Sequence, residues 1–342
     1  MSTPSCPESI IRIGLIGCGY WGPNYLRIFS QAEGVKLVAA ADPDPARLAK
    51  AARFLPDLKT RASHHELLPE VDAVVIAVPT ALHYEVAKDA LLNGKHVLCE
   101  KPLCTSSTEG AELVRLAAER NLILMVGHIF LFNPAIVFIR HFIKSGELGN
   151  LRYITATRTN LGPVRHDVNA VWDLASHDIA VFHWLIGQDV EEVTAVGASY
   201  LQPGVEDVAT VSLRYPGNVL ATIQCSWLDP KKVRRMTVVG SKRMITWDDL
   251  DLSHPLAVYE KGGDSRWETS DYGDFLRVSL WEGDVRLPKI QPEEPLKTQA
   301  MAFLDAIRTG QPPRSDGEFG TSVVRILERI EERLQPTRVP AQ

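Results

Sequence analysis

From Ile11 onward the chain alternates short, continuous apolar runs with stretches whose apolar residues recur at helical spacing. The runs Ile11 to Ile16, Val35 to Ala41, Ala73 to Val78, His96 to Cys99 and Ile123 to Val126 read as strands. Helical stretches fall at Asn24 to Gln31, Arg47 to Phe54, Leu82 to Asn93 and Ser107 to Arg120, with a short segment near His64 to Leu68. Strands alternating with helices predict a parallel, doubly wound α/β sheet. The uniformly apolar character of the strands agrees, because helices cover both faces of such a sheet.

Beyond Gly127 and a linking helix from Pro134 to Ser145 the pattern changes. Tyr153 to Thr159, Val190 to Ala198, Thr210 to Tyr215, Leu220 to Trp227, Arg235 to Val239 and Met244 to Trp247 read as strands. Tight turns such as Pro216-Gly217 and Gly240-Ser241 join several of them, which favours an open, largely antiparallel mixed sheet. Helices at Asp173 to Ile186, Leu296 to Thr309 and Gly320 to Leu334 make this second part α+β, while Lys261 to Pro295, rich in Gly, Asp, Trp and Pro, has no secure period. A length of 342 residues exceeds what one hydrophobic core usually serves. The expected organisation is therefore a flexible lead over 1–10, one domain over 11–128 and a second over 129–342.

Composition narrows the function classes. Charged residues are 23% of the chain and the formal net charge is -5, which gives no basic footprint for nucleic acid. The five cysteines (Cys6, Cys18, Cys99, Cys104, Cys225) lack any paired spacing for zinc or a disulfide framework, so a reducing cytoplasm is expected. The polar start carries no basic region followed by an apolar run, and no apolar stretch is long enough to span a bilayer.

Gly17-Cys18-Gly19-Tyr20-Trp21-Gly22 matches G-x-G-x-x-G directly after the first strand and ahead of a helix. The first glycine permits the tight turn, the second lets the backbone approach a pyrophosphate, and the third allows close strand-to-helix packing. Asp42 ends the second strand, where a carboxylate can accept both adenosine ribose hydroxyls and repel a 2'-phosphate, which favours NAD over NADP. Within Ala41-Asp42-Pro43-Asp44-Pro45 it can equally serve as a turn or helix-cap residue, and both roles can coexist. Arg47 stands near enough in sequence to reach across to a 2'-phosphate.

Three later features belong together: Glu100-Lys101-Pro102 and Gly127-His128 at strand ends, and Asp173 with His177 four residues apart on a helix. Ligands of open α/β sheets sit beyond the carboxyl ends of the strands, which brings Lys101 and His128 towards the site. Residues at i and i+4 share a helix face, so Asp173 and His177 can meet one ligand, whereas Asp178 lies off that face. His128 reads more readily as a satisfied core histidine than as a functional one.

In the order and spacing of Gly17 to Gly22, Glu100-Lys101-Pro102 and Trp172-Asp173-Leu174-Ala175-Ser176-His177-Asp178, the chain resembles the glucose-fructose oxidoreductase and inositol dehydrogenase family, written Gfo/Idh/MocA. The resemblance covers nearly the whole chain. It implies an N-terminal Rossmann domain that binds NAD, and a C-terminal domain that holds substrate and often oligomerises through its open sheet as a homodimer or homotetramer. It also implies nicotinamide-dependent oxidation or reduction at a sugar or cyclitol carbon, with Lys101 and His177 in the active site. Oxidising a secondary alcohol needs a base for the hydroxyl proton, and a desolvated Lys or a His can supply it. His177 is read as the proton carrier and Lys101 as the group that polarises the oxygen, roles that can be exchanged; Asp173 orients the substrate or His177. Cofactor contacts are expected from Gly17, Gly19, Tyr20, Trp21, Gly22, Asp42, Glu100 and Lys101. No metal is needed, since the cofactor supplies the redox chemistry and no ligand cluster is evident.

The polar loop Arg158 to Asn169 carries two arginines suited to an anionic ligand, or to a solvated salt-bridged loop. With Gly19-Tyr20-Trp21-Gly22-Pro23-Asn24, this loop resembles that of members acting on nucleotide sugars such as UDP-N-acetylglucosamine or a hexosaminuronate, oxidised at C3. Arg158, Asn160, Arg165, Asn169, Asp173 and His177 are the expected substrate contacts. The alternatives are a dehydrogenase of free cyclitols or sugars, and a non-catalytic dinucleotide sensor on the same scaffold.

Overall fold

The computed structural model describes residues 10–270 and 273–334; the lead expected over 1–10 falls outside them except for Ile10. Two compact units emerge from the packing. The first holds the described part of Met1–Ile129 together with Glu294–Arg325, and the second Phe130–Glu293 with the described part of Ile326–Gln342.

In the first unit the order is β1 (Ile11–Ile16), α1 (Gly22–Ser30), β2 (Val35–Ala41), α2 (Pro45–Phe54), β3 (Lys59–Arg61), α3 (His64–Leu67), β4 (Ala73–Ile76), α4 (His83–Leu92), β5 (His96–Cys99), α5 (Ser107–Glu119) and β6 (Leu124–Val126). The strands form one parallel sheet in the order β3-β2-β1-β4-β5-β6. β4 and β6 are buried at every position, as two-sided coverage requires. In β1 Arg12 alone is exposed, and its guanidinium pairs with Asp72 at 2.6 Å.

The second unit opens with α6 (Pro134–Lys144), whose first turn is capped by the Asn133 side chain on Ala135 N. There follow β7 (Leu151–Leu161), a π-helical turn over Val171–Ala175 and α7 (Ser176–Ile186). β8 (Glu192–Ala198), β9 (Val208–Tyr215), β10 (Val219–Ser226), β11 (Leu228–Gly240), β12 (Met244–Asp248) and β13 (Leu256–Tyr259) come next. β14 (Gly262–Ser270) and β15 (Gly273–Trp281) form a two-stranded sheet among the described residues, and β16 (Val285–Arg286) adds an edge. The eight-stranded sheet runs β16-β13-β12-β11-β7-β10-β9-β8 and is antiparallel except between β7 and β10. Burial alternates along β9 and β10, so one face is covered and the other open.

Three expectations change. The helix predicted from Asp173 to Ile186 starts as a wider π turn, and residues 261–295, without a legible period, hold three strands. Also, α8 (Pro295–Thr309) and the first part of α9 (Gly317–Glu331) return to the first unit, where sequence order alone had carried the second domain to 342. The return is fixed by polar contacts no local pattern reveals: Ser315 Oγ donates to Val126 O at 2.8 Å, Val126 N donates to Ser315 O at 2.7 Å, and Arg27 pairs with Glu294.

Candidate active site

The turn between β1 and α1 separates its glycines by function. Gly17 has φ +95°, and a Cβ there would stand 2.4 Å from the Ala77 carbonyl oxygen. A Cβ on Gly22 would stand 2.6 Å from Gly17 O. Close backbone packing therefore excludes any side chain at either position. At Gly19 the nearest atom to such a Cβ is Arg47 Nη1, 3.9 Å away, so the loop is open there. Helix α1 has no side-chain cap and carries Pro23 in its first turn, which leaves backbone N–H groups for an anion. Gly17, Gly19 and Gly22 thus fit a dinucleotide. Tyr20 is 88% exposed on the same turn, with Trp21 edge-on to it at 5.9 Å.

Asp42 is buried, and its carboxylate accepts hydrogen bonds from Cys18 N at 2.8 Å and Asp44 N at 2.9 Å. It thereby ties the glycine turn to the start of α2, where Asp44 in turn caps Ala46 N. The turn-capping role foreseen for it is realised, and two carboxylate oxygens retain lone pairs for a ribose. Arg47 stands 3.7 Å from Asp42 and 3.4 Å from Asp44. Burial, and then the charge of Asp42, push the Cys18 thiol up to about 12, so it stays protonated.

Lys101 emerges directly after β5, in a turn whose Lys101-Pro102 peptide is cis. Glu100 holds this turn from below. Its carboxylate accepts from the Tyr25 hydroxyl at 2.7 Å and from Lys101 N at 3.2 Å, and Gln299 Nε2 donates to the Tyr25 oxygen at 3.0 Å. Burial raises the Glu100 carboxyl above its ordinary range, against the lowering effects of Tyr25 and Lys101. Expected as a cofactor contact, Glu100 is instead an interior brace. His83, the first residue of α4, closes the turn from the other side, with Nδ1 2.7 Å from Pro102 O and Nε2 3.0 Å from Val78 O. His128 is buried against the edge of Phe319, at 5.6 Å between ring centroids.

In the second unit, Asp173 lies in the π turn and His177 is the second residue of α7. Asp173 accepts from Trp227 Nε1 at 3.0 Å and from Arg165 Nη1 at 3.4 Å. His177 meets the edge of Phe130 with centroids 5.0 Å apart, and Phe130 also contacts Trp247 at 5.9 Å.

The substrate loop differs most from expectation. Arg158 is fully buried, with its guanidinium bidentate on Asp178 at 2.6 and 3.0 Å and stacked 4.5 Å from the Phe130 centroid. It is a structural cation rather than an anion clamp, because a charge so deeply buried needs its partner. Asn169 is buried too: its amide donates to Glu206 at 2.9 Å and Glu331 at 3.0 Å, and its carbonyl oxygen accepts from Trp172 N at 3.2 Å. Asn160 donates to Gly162 O at 2.7 Å and shapes the loop. Arg165 is part-exposed but held by Asp167 at 2.5 and 2.9 Å as well as by Asp173. The sequence missed Trp227, Phe130 and Asp178 as supports, since Trp227 lies 54 residues from Asp173 and nothing periodic links them.

Comparison with known proteins identifies the family. The profile described as "Oxidoreductase family, NAD-binding Rossmann fold" matches residues 11–128, and the GFO/IDH/MocA C-terminal domain matches residues 136–246. The chain is 30% identical over 317 residues to UDP-N-acetylglucosamine 3-dehydrogenase of Acidithiobacillus ferrooxidans, spanning 92% of this chain and 94% of that protein. It is 25% identical over 341 residues to myo-inositol 2-dehydrogenase of Thermotoga maritima, spanning 96% and 97%. A crystal structure of the Acidithiobacillus enzyme superposes with a TM-score of 0.81 at 26% identity, covering 95% of this chain and 97% of that one. The chain belongs to the GFO/IDH/MocA family of oxidoreductases. It is an enzyme, and NAD is its cofactor.

Two outcomes follow from the turn and its brace. Gly17→Ala should cost roughly 1–3 kcal/mol of stability through overpacking, whereas Gly19→Ala should melt close to wild type while weakening NAD binding measured by calorimetry. Glu100 binds its proton more tightly folded than unfolded, so its contribution is largest at low pH and fades as pH rises through the raised folded value. Thermal melts of Glu100→Gln should therefore gain on wild type as pH rises above the ordinary carboxylate range; a trend in the opposite direction would refute the assignment.

Proposed function

We propose that this chain is a nucleotide-sugar dehydrogenase that oxidises C3 of a UDP-N-acetylhexosamine or its uronate. The observation that carries the reading is the full-length likeness to UDP-N-acetylglucosamine 3-dehydrogenase. Bound NAD supplies the two-electron acceptor. His177 takes the C3 hydroxyl proton, and the Lys101 ammonium donates a hydrogen bond to the same oxygen as its charge develops. Asp173, steadied by Trp227 and Arg165, orients a sugar hydroxyl or the His177 ring. Asp42 receives the adenosine ribose, and the open backbone at Gly19 receives the pyrophosphate.

One observation favours a second reading, a dehydrogenase of free cyclitols or sugars. Arg158 and Arg165, the cations expected to meet a diphosphate, already serve Asp178, Asp167 and Asp173. A panel of UDP-N-acetylglucosamine, its uronate, glucose and myo-inositol, followed at the reduced-nicotinamide absorbance, separates the two. Turnover of a UDP-sugar, reduced about 10²–10⁴-fold by Lys101→Ala and His177→Ala, is expected. Turnover confined to inositol or glucose sinks the nucleotide-sugar reading.

We further propose that the chain works in the cytoplasm as a homodimer or homotetramer built on the open sheet face. Thr194, Ser212, Thr222, Thr155, Thr237 and Thr246 lie in register across six strands of that face, a row of small side chains suited to close packing. No helix among the described residues is long and apolar enough to cross a membrane. Light scattering should give a dimer or tetramer mass for wild type and a smaller one for Thr155→Arg, whose side chain would stand in the middle of the row.

A further inference from the structure

Away from the residues assigned above, α3 and α4 bring together three groups that sequence reading left unconnected. His64 Nε2 lies 2.9 Å and His65 Nε2 3.8 Å from the same oxygen, Asp89 Oδ2, and one ligand atom from each of the three residues lies within 4.8 Å of the other two. The two rings overlap, with centroids 4.0 Å apart and planes tilted by 37°. Ser63 fixes the turn that presents them by capping His65 N at 3.3 Å.

His64 hydrogen-bonds Asp89, whereas His65, at 3.8 Å from the same oxygen, is beyond hydrogen-bond reach. The spacing suits a small divalent ion better. Zinc-to-ligand bonds of about 2.0–2.1 Å at tetrahedral angles set neighbouring ligand atoms about 3.4 Å apart, between the two separations seen here. Two neutral imidazoles and one carboxylate also match the donor preference of zinc or cobalt, whereas calcium and magnesium want oxygen alone. We propose that His64, His65 and Asp89 form a surface site for a borderline divalent transition metal, with three protein ligands and water in the remaining position.

Such an ion ties α3 to α4, the helix whose first residue, His83, braces the Lys101-Pro102 turn. It competes with protons for the two imidazoles, so binding weakens on acidification.

The test uses the full chain, freed of any affinity tag and treated with chelator, titrated with cobalt(II) and followed by visible d–d absorption, with zinc as competitor. One cobalt per chain with an intense tetrahedral spectrum is expected. His65→Gln, at a side chain 66% exposed and so safe for folding, should weaken the apparent affinity at least tenfold, as should Asp89→Asn. Zinc should raise the wild-type melting temperature and leave that of His65→Gln unchanged. Absence of binding, or binding that both variants retain, would overturn the proposal.

Discussion

A buried carboxylate that holds backbone N–H groups is the constraint on which the cofactor half of this protein rests. Asp42 accepts from Cys18 N and Asp44 N, and so fixes a turn in which half the residues are glycine. The glycines widen the conformational freedom of the turn while leaving its donors to be satisfied, and the carboxylate after the neighbouring strand supplies the restraint. Glu100 repeats the device one layer on, joining Tyr25 and Gln299 to the backbone of Lys101. Both carboxylates are removed from water and kept worthwhile by the donors they collect.

The second unit solves the same problem with an ion pair. Arg158 and Asp178 neutralise each other in the interior, and the guanidinium lies over Phe130, against whose edge His177 rests. Because Asp178 follows His177 directly in the chain, the pair fixes the beginning of α7 as well as the aromatic wall beside it. Losing either partner would strand a buried charge beside the proposed proton carrier, which is far costlier than losing a surface contact. The Trp227 indole does for Asp173 what the Tyr25 hydroxyl does for Glu100: a bulky, buried side chain delivers one donor to one carboxylate oxygen.

Much of the first unit was legible because its signals are local. The glycine turn, the uniformly apolar strands and the alternation with helices each need only a short window, and they foretold the parallel sheet. β3, three residues long and flanked by polar segments, escaped for the same reason. The loop from Arg158 to Asn169 was read by charge, and charge alone cannot tell an arginine aimed at a ligand from one already met by Asp178. Nor can a count of histidines place His64 and His65 against Asp89, because the helices that carry them meet only in the fold.

By itself the sequence determined the chemistry available: a turn open to a dinucleotide, a lysine at the end of a strand, and an aspartate and a histidine one helical turn apart. Tertiary structure alone decided which of the polar groups are engaged as supports inside the fold. Glu100, Arg158 and Asn169, expected as ligand contacts, are held as braces, and Trp227, Phe130 and Asp178 are found supporting Asp173, His177 and Arg158. The physical reason is that a polar residue's role depends on its partners and its access to water, and both are set by segments far apart in the chain.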